Sequence, residues 1–569
     1  MAAHQLSRLV RRTCHAAANT NPHLLRTLSS TVIPRRMEDI RYTAQQEFSS
    51  SSLADLVLYH QKTPLKFKSN GCENGSNHDH VYNNDVNEGF EIAIQKLNSL
   101  QSNDAALRNS IKNPKVDTVV DTIKYLERSG LPLETLEQLS FIHVAGTKGK
   151  GSTCALTESL LRHHGFRTGL YTSPHILSTN ERIRIDGQPL AKAKFTEHFW
   201  KVYNLLWERR EHEHDMPAYF KFLTILGFHV FVAENVDVAV LEVGIGGDRD
   251  CTNILRNVQT VGITSLGLEH TELLGRTLGE IAWQKAGIIK PGSHVFTHAA
   301  QEECLRVIRQ RVEEKGATLF CEVPATEDYF QGDEKYSRHW PTFNHVIRLN
   351  GSLAIQLAMD WMSRQTKKPL PPTPWSPNEL VINDQILEGL AHSHWPGRCQ
   401  LVDWRGIRLH LDGAHTVESI AVCMDWFTKS IKGRSNPKIL IFNRTGESGV
   451  GPLLEVVNSS CAFDMVCFVP NLSTTTPNAP SQVMVRFTPD MQLKRAKGIG
   501  QEWREICHRL GQEDRSQVYG TVCEVFTAIR ARYPLDNGDN GEIDVLVTGS
   551  IHLLGAAISA LDLIDQGKN

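Results

Sequence analysis

From about Phe90 onward, short apolar runs alternate with stretches of helical periodicity. The runs at 141–144, 168–171, 236–243 and 258–264 have the length of buried strands, about four to eight residues. Helical patterns lie between several of them. This alternation predicts a mostly parallel sheet with helices on both faces.

A second alternation follows a proline-rich stretch at 369–377, which we interpret as a stiff connector. It predicts strands at 408–411, 439–442, 465–469 and 543–547, and helices at 416–432 and 551–564. We therefore predict an α/β fold with a large N-terminal domain over 89–393 and a smaller, Rossmann-like C-terminal α/β domain over 394–569.

The N-terminal residues differ in composition from the rest. Residues 1–36 carry six arginines and no acidic residue, which is typical of a mitochondrial presequence, and we assign 1–42 to this leader. A disordered tail of chance composition is the alternative. Translation from Met37 would give a cytosolic form. Residues from about 66 to 88 are polar and asparagine-rich, and we predict a low-complexity, disordered segment over 43–88.

Overall composition excludes several classes of protein. Charged residues make up 22% and the formal net charge is -2, so nothing indicates a nucleic-acid partner. No apolar run approaches the ~20 residues that a membrane-spanning helix needs. The 12 cysteines form no CxxC pair, which fits a reducing compartment and argues against a zinc ribbon.

The strongest single motif is the glycine-rich stretch GTKGKGST at 146–153, between a predicted strand and a predicted helix. Glycines let backbone N–H groups approach phosphate oxygens, and Lys150 can reach the terminal phosphates. The motif predicts that the large domain is a P-loop domain, with a ligand-free turn as the alternative. A second glycine-rich stretch, 244–247, lacks the full dinucleotide spacing and is followed by Asp248 and Arg249, which disfavours NAD.

Candidate metal ligands follow two neighbouring strands. Glu242 lies at the carboxyl end of the apolar stretch 238–241, and His270 follows the next run. Mg²⁺ bound with ATP usually takes a few protein ligands and phosphate oxygens. An exposed acid and a structural histidine are the alternatives. In the second half, Asp412 is another carboxylate at a strand end.

Eight motifs in order carry a family resemblance. They read HVAGTKGKGST, TSPHILSTNERIRIDG, LEVGIGGDRDCTN, SLGLEHTELLG, WQKAGIIKPG, WPGR, LDGAHT and VTGSIHLLGA. Together they resemble the Mur ligase superfamily and, within it, the folate branch formed by the folylpolyglutamate synthase family. The similarity covers the chain from about Phe90 to its end.

The resemblance implies an ATP-dependent ligase that adds L-glutamate to the γ-carboxyl of a folate through an acyl phosphate. It implies ATP and Mg²⁺, with a monovalent cation such as K⁺ possible, and a monomer. The loop at 172–187 would help to form the folate pocket. The resemblance implies phosphate binding by Gly149, Lys150, Gly151 and Ser152, and magnesium binding by Ser173, Glu242 and His270. It implies nucleotide contacts from Arg398 and Asp412. The implied catalytic residues are Lys150, His270 and Lys285, and Lys285 occupies a position that is carbamylated in related ligases.

Three departures from the family pattern stand out. Glu269 stands where the family usually has an aspartate before the histidine. The family's His-Gln pair before an Asn-Ala is not intact, since His345 is displaced and Asn350-Gly351 replaces Asn-Ala. Glu-Ser-Gly at 447–449 stands where the family commonly has Arg-Asp-Pro. The alternatives within the enzyme class are dihydrofolate synthase and another Mur-type amide ligase. A nucleotide-binding regulator without turnover is the alternative of another class.

Overall fold

Two sheets of buried strands organise this protein. The computed structural model describes residues 77–100, 118–325, 329, 345–365, 382–393, 395–445, 449–474, 488–534 and 542–567. The predicted leader and the proline-rich connector lie outside these residues. Within them, no helix has the length and apolarity needed to cross a bilayer.

The first sheet has eight strands in the order β4-β3-β2-β5-β1-β6-β7-β8. They are β1 (Phe141–Ala145), β2 (Thr168–Tyr171), β3 (Ile183–Ile185), β4 (Gln188–Pro189), β5 (Val238–Glu242), β6 (Thr260–Ile263), β7 (His294–Thr297) and β8 (Leu319–Glu322). At one edge β3 pairs antiparallel with both β2 and β4, and all other neighbouring strands of this sheet pair parallel. Phe141 and Ala145 join one hydrophobic core while Ile142 and Val144 join another, because successive side chains of a strand face opposite sides.

Helices cover both faces of this sheet. They are α1 (Asn77–Asn98), α2 (Thr118–Arg128), α3 (Leu133–Leu136), α4 (Lys150–His163), α5 (Lys192–Glu208), α6 (Tyr219–Glu234), α7 (Thr271–Leu274), α8 (Leu278–Lys285), α9 (Glu302–Lys315), α10 (His345–Gln365) and α11 (Asp384–Ala391). Helix α8 begins at a capping box in which Thr277 and Glu280 each bond the other's backbone N–H. That cap fixes where the helix carrying Lys285 starts.

The second sheet has six strands in the order β13-β12-β11-β14-β10-β9. They are β9 (Gln400–Trp404), β10 (Ile407–Asp412), β11 (Lys438–Phe442), β12 (Met465–Phe468), β13 (Ser516–Val518) and β14 (Ile543–Thr548). Its helices are α12 (Val417–Ser430), α13 (Gly451–Ser460), α14 (Pro489–Arg509), α15 (Val522–Arg532) and α16 (Ile551–Asp565). Only the edge strand β9 pairs antiparallel among these described strands.

The predicted α/β fold class is confirmed, with a large, mostly parallel sheet followed by a smaller one. Each apolar run that we predicted as a strand contains one. One boundary differs: α1 begins at Asn77, inside the stretch predicted as disordered. The buried Phe90, Ile94 and Leu97 on its C-terminal part explain why the helix forms, since packing an apolar face stabilises a helix. The domain limits themselves stay predictions.

The segment at 172–187 connects β2 to β3 of the first sheet and contacts the second part of the chain. Ile176 in this loop belongs to the hydrophobic core beneath β10 and β14. A Cβ added at Gly555 in α16 would lie 2.3 Å from the carbonyl oxygen of Ile176. Because a methyl group does not fit there, this glycine allows the loop to pack directly on α16.

Candidate active site

The turn between β1 and α4 has the geometry of an anion-binding loop. Gly146 and Gly149 have φ of 148° and 91°, and Gly149 caps α4 without any side-chain hydrogen bond. The first N–H groups of a helix lack partners within it and carry partial positive charge. The N-terminal end of α4 therefore presents backbone N–H donors to a phosphate.

Lysines add positive charge to this loop. Lys150 is the first residue of α4, and its Nζ makes a long contact of 3.4 Å with the carbonyl oxygen of Thr147. Such a weak bond leaves the ammonium available to a ligand. The loop also bonds to the end of β6, where the N–H of Thr147 donates to the carbonyl oxygen of Ser265 at 2.8 Å.

Lys148 joins the loop to the second sheet. Its Nζ donates to Oε1 of Glu269 at 2.7 Å and lies 3.1 Å from Nε2 of His415, just beyond β10. Burial alone would raise the pKa of Glu269, but His415 and Lys148 outweigh it and hold that pKa well below its usual range. The glutamate that departs from the family pattern thus accepts from Lys148 and faces a histidine of the other sheet.

Glu242 at the end of β5 is the buried carboxylate of the site. It is 5% exposed, and its Oε2 accepts the backbone N–H of Ser173 at 2.9 Å. A Cβ added at Gly151 would lie 3.2 Å from the same oxygen. Burial raises the pKa of Glu242, and the charges of Lys150 and Arg398 oppose that shift. Glu242 is thus brought beside the phosphate loop and Ser173.

Lys285 lies beneath the loop at the end of α8. It is 3% exposed, and its Nζ donates to the carbonyl oxygen of Gly146 at 2.7 Å. Burial, helped by repulsion from Lys150, lowers its pKa to about 7. Lys285 is therefore a buried lysine at the end of α8 and not an exposed one.

His270 precedes α7 with a left-handed backbone, φ 52°. Burial lowers its pKa, and the charges of Glu269, Lys285 and Lys150 also act on it, so the ring lies within electrostatic range of the loop. No hydrogen bond of its ring is found among the residues that the structure describes. His270 thus lies within electrostatic range of Lys150 and Lys285, and its ring has no hydrogen-bond partner in the described chain.

The second sheet contributes Arg398 and Asp412. Asp412 ends β10, where its carboxylate accepts the backbone N–H of Cys399 and of Ala414, both at 2.9 Å. Burial raises its pKa, which the charge of Arg398 opposes. Arg398 also acts electrostatically on Glu242 and Lys148. Asp412 therefore fixes the turn next to Arg398, and the charge of Arg398 lies within electrostatic range of the phosphate loop.

Sequence reasoning missed several residues of this site. Asn350 on α10 is 2% exposed, and its Oδ1 would lie 2.4 Å from a Cβ added at Gly149. Trp395 would lie 3.1 Å from a Cβ at Gly151. Both residues lie in motifs that we noted, but nothing local to Asn350 or Trp395 shows that they reach the loop. Lys148 and His415 were likewise quoted only as parts of motifs.

A protein-only metal cluster is not found in the described ranges: no three His, Cys, Asp or Glu side chains come together. Glu242 also makes no ion pair with any residue described. A cation held by Glu242 and by phosphate oxygens fits this arrangement, because such a site needs few protein ligands.

The chain is similar to curated proteins over most of its length. It is 36% identical over 545 residues to "Folylpolyglutamate synthase, mitochondrial" of Bos taurus, covering 83% of this chain and 92% of that protein. It is 39% identical over 439 residues to the Homo sapiens protein of the same name, covering 73% and 74%. A solved "FPGS-AMPPCP complex" matches with a TM-score of 0.55 and 26% identity, covering 78% of this chain and 95% of that one. No protein-family model matches the chain.

Proposed function

Since the chain belongs to the folylpolyglutamate synthase family, we propose that it is an ATP-dependent ligase that adds L-glutamate to the γ-carboxyl group of a folate. The observation that carries the proposal is the phosphate loop with Glu242 buried beside it. A related protein was solved with AMPPCP, an ATP analogue, which supports ATP as the nucleotide.

The reaction needs activation of a carboxylate. An oxygen of the γ-carboxylate attacks the γ-phosphorus of ATP, the bond to ADP breaks, and an acyl phosphate forms. The amine of glutamate then attacks the acyl carbon, phosphate leaves, and the nitrogen loses a proton. Catalysis of this kind rests on positioning and charge stabilisation, so the protein needs no nucleophilic side chain.

The phosphate loop would provide most of this positioning and charge stabilisation. The backbone N–H groups of Gly149, Gly151 and Ser152 would bind phosphate oxygens, and Lys150 would stabilise the charge on the transferring group. Asn350, whose buried side chain lies beside Gly149, would contact the nucleotide.

A magnesium ion fits the part of the same site that contains the Glu242 carboxylate. Glu242, Ser173 and His270 would hold the ion, since Glu242 is buried without an ion pair among the described residues. When bound, Mg²⁺ would neutralise phosphate charge. Lys285 donates to the carbonyl oxygen of Gly146, and its lowered pKa leaves a substantial neutral fraction of the amine, which the formation of a carbamate requires.

Closure of the two sheets would complete the site. Arg398 and Asp412 belong to the second sheet, and His415 lies 3.1 Å from Lys148 of the first. Approach of the two parts would bring Arg398 to the nucleotide. Closing of this kind excludes water from a reactive acyl phosphate.

The deciding experiment follows glutamate incorporation and ADP release together. With ATP, glutamate and tetrahydrofolate, we expect both products in equal amounts, and no ADP when either folate or glutamate is omitted. Ligation to dihydropteroate instead of tetrahydrofolate would identify a dihydrofolate synthase. Nucleotide binding without turnover under all of these conditions would identify a regulator.

Location and assembly complete the proposal. The arginine-rich start of the chain and relatives named as mitochondrial support a mitochondrial form. Translation from Met37 would add a cytosolic form, and two products from one transcript would reveal it. We also propose a monomer, which sedimentation of the purified chain would test.

A further inference from the structure

The turn at 244–250 follows β5 and packs on the last turn of α8. A Cβ added at Gly247 would lie 2.7 Å from the carbonyl oxygen of Gln284 and 2.8 Å from that of Lys285. The backbone N–H of Asp248 also donates to the carbonyl oxygen of Gln284 at 2.8 Å. This turn therefore contacts the backbone that carries the Lys285 side chain.

The chain that leaves α8 packs against the same turn. A Cβ added at Gly287 would collide with the Cβ of Asp248, and the side-chain amide of Asn253 donates to the carbonyl oxygen of Asp248 at 2.9 Å. Close-packed groups of this kind transmit displacements to one another, because there is no free space to absorb them. We therefore expect a displacement of Asp248 to displace the end of α8.

Arg311 on α9 holds Asp248 in place. Arg311 is 7% exposed, and its Nη2 donates to Oδ1 of Asp248 at 3.1 Å. Its guanidinium carbon lies 4.2 Å from the centre of the Trp283 ring, two residues before Lys285. Arginine suits both contacts, because its planar guanidinium stacks on aromatic faces while it donates to a carboxylate. One side chain thus contacts the turn and helix α8 at once.

The same helix α9 places a second cation near Asp248. The Nζ of Lys315 lies 3.9 Å from Oδ1 of Asp248, which is too far for a hydrogen bond. Arg311 is therefore the stronger partner of this carboxylate. At the other end of the chain of contacts, the Nζ of Lys285 donates to the carbonyl oxygen of Gly146 in the phosphate loop at 2.7 Å. Neither Arg311 nor Asp248 has a role in the reaction described above.

We propose that Arg311 is a positioning residue, which fixes the end of α8 through Asp248 and Trp283 and so sets where Lys285 meets the phosphate loop. The inference rests on the proposed function, in which Lys285 takes part in catalysis. A misplacement of ~1 Å caused by a distant change lowers turnover by roughly 10²-fold, so Arg311 controls the rate through Lys285.

The test compares two arginines of the same helix. Arg311→Gln should lower kcat for ADP release roughly tenfold or more, because the end of α8 loses its support. Arg311→Lys should retain part of the activity, since lysine keeps the charge but not the planar guanidinium. Arg309→Gln is the matched control and should retain normal kcat. Arg309 also pairs with a carboxylate, that of Glu302 at 3.0 Å, and lies 5.7 Å from the centre of the Phe320 ring.

Combining the change with Lys285→Ala separates positioning from a general structural role. If Arg311 acts through Lys285, Arg311→Gln should not lower the residual kcat of Lys285→Ala any further, because two changes that act through one group are not additive. A full additional loss in that background would overturn the proposal, and so would an unchanged kcat in Arg311→Gln alone.

Hydrogen exchange tests the same contact without turnover. If the wild-type chain incorporates no glutamate, the proposed function fails, and exchange of the backbone amides at 244–250 and 283–288 then decides the positioning contact. The same measurement decides it if Lys285→Ala has no residual activity. Faster exchange of both segments in Arg311→Gln than in Arg309→Gln supports the proposal, and equal exchange refutes it. If Arg311→Gln does not fold, Asp248→Ala removes the same pair and takes its place in the comparison.

Discussion

Replacing Gly149 by alanine tests how strictly the phosphate loop depends on its geometry. Gly149 has a left-handed backbone with φ 91°, and an added Cβ would lie 2.4 Å from Oδ1 of Asn350. Ordinary contacts begin at 3.4 Å, so either the loop or Asn350 must move by about 1 Å. Asn350 is 2% exposed and has little room to retreat.

Two costs follow from this change. A non-glycine residue in the left-handed region loses about 1–2 kcal/mol of stability. A displacement of ~1 Å in a group that positions substrate lowers turnover by roughly 10²-fold. We therefore expect Gly149→Ala to fold with a modest loss of stability and a large loss of activity.

Gly165 after α4 provides the matched control. Its φ is 85°, similar to that of Gly149, but nothing lies within 4 Å of the position that its Cβ would take. Denaturant unfolding should show a loss of about 1 kcal/mol for both variants. Steady-state ADP release should fall only in Gly149→Ala. Turnover within about threefold of wild type in that variant would refute the assigned geometry.

Three further outcomes are expected. Lys150→Ala should lower turnover by ~10²–10⁴-fold with unchanged unfolding, measured by ADP release, and near-normal activity would remove Lys150 from phosphate binding. Lys285→Ala should lose activity, and added acetate should partly restore it. The control is Lys290→Ala, which removes an amine bonded to the Asn253 carbonyl and should show no effect of acetate. A loss of activity in Lys285→Ala that acetate does not restore would return Lys285 to a structural role. A fusion of residues 1–40 to a fluorescent reporter should enter mitochondria, and a purely cytosolic signal would show the arginine-rich composition to be accidental.

Local pattern was enough to predict much of this fold. The apolar runs around β1 and β5 mark buried strands, because a strand covered on both faces is apolar along its whole length. The glycines and Lys150 of the loop were likewise evident, since a strand, a glycine-rich turn and a helix follow each other directly in the chain. Antiparallel β9 was not predicted, because this strand at the sheet edge is only partly buried and its sequence is more polar.

Only the tertiary structure decided which distant residues meet. The strand order places the ends of β5, β1 and β6 side by side, so Glu242 comes beside the loop and the segment before His270 lies next to it. Lys148 meets Glu269 and His415 because two separate sheets approach at that point. Sequence periodicity reports which face of an element is buried, whereas contacts between distant elements depend on how those faces pack, and that is settled by the whole fold.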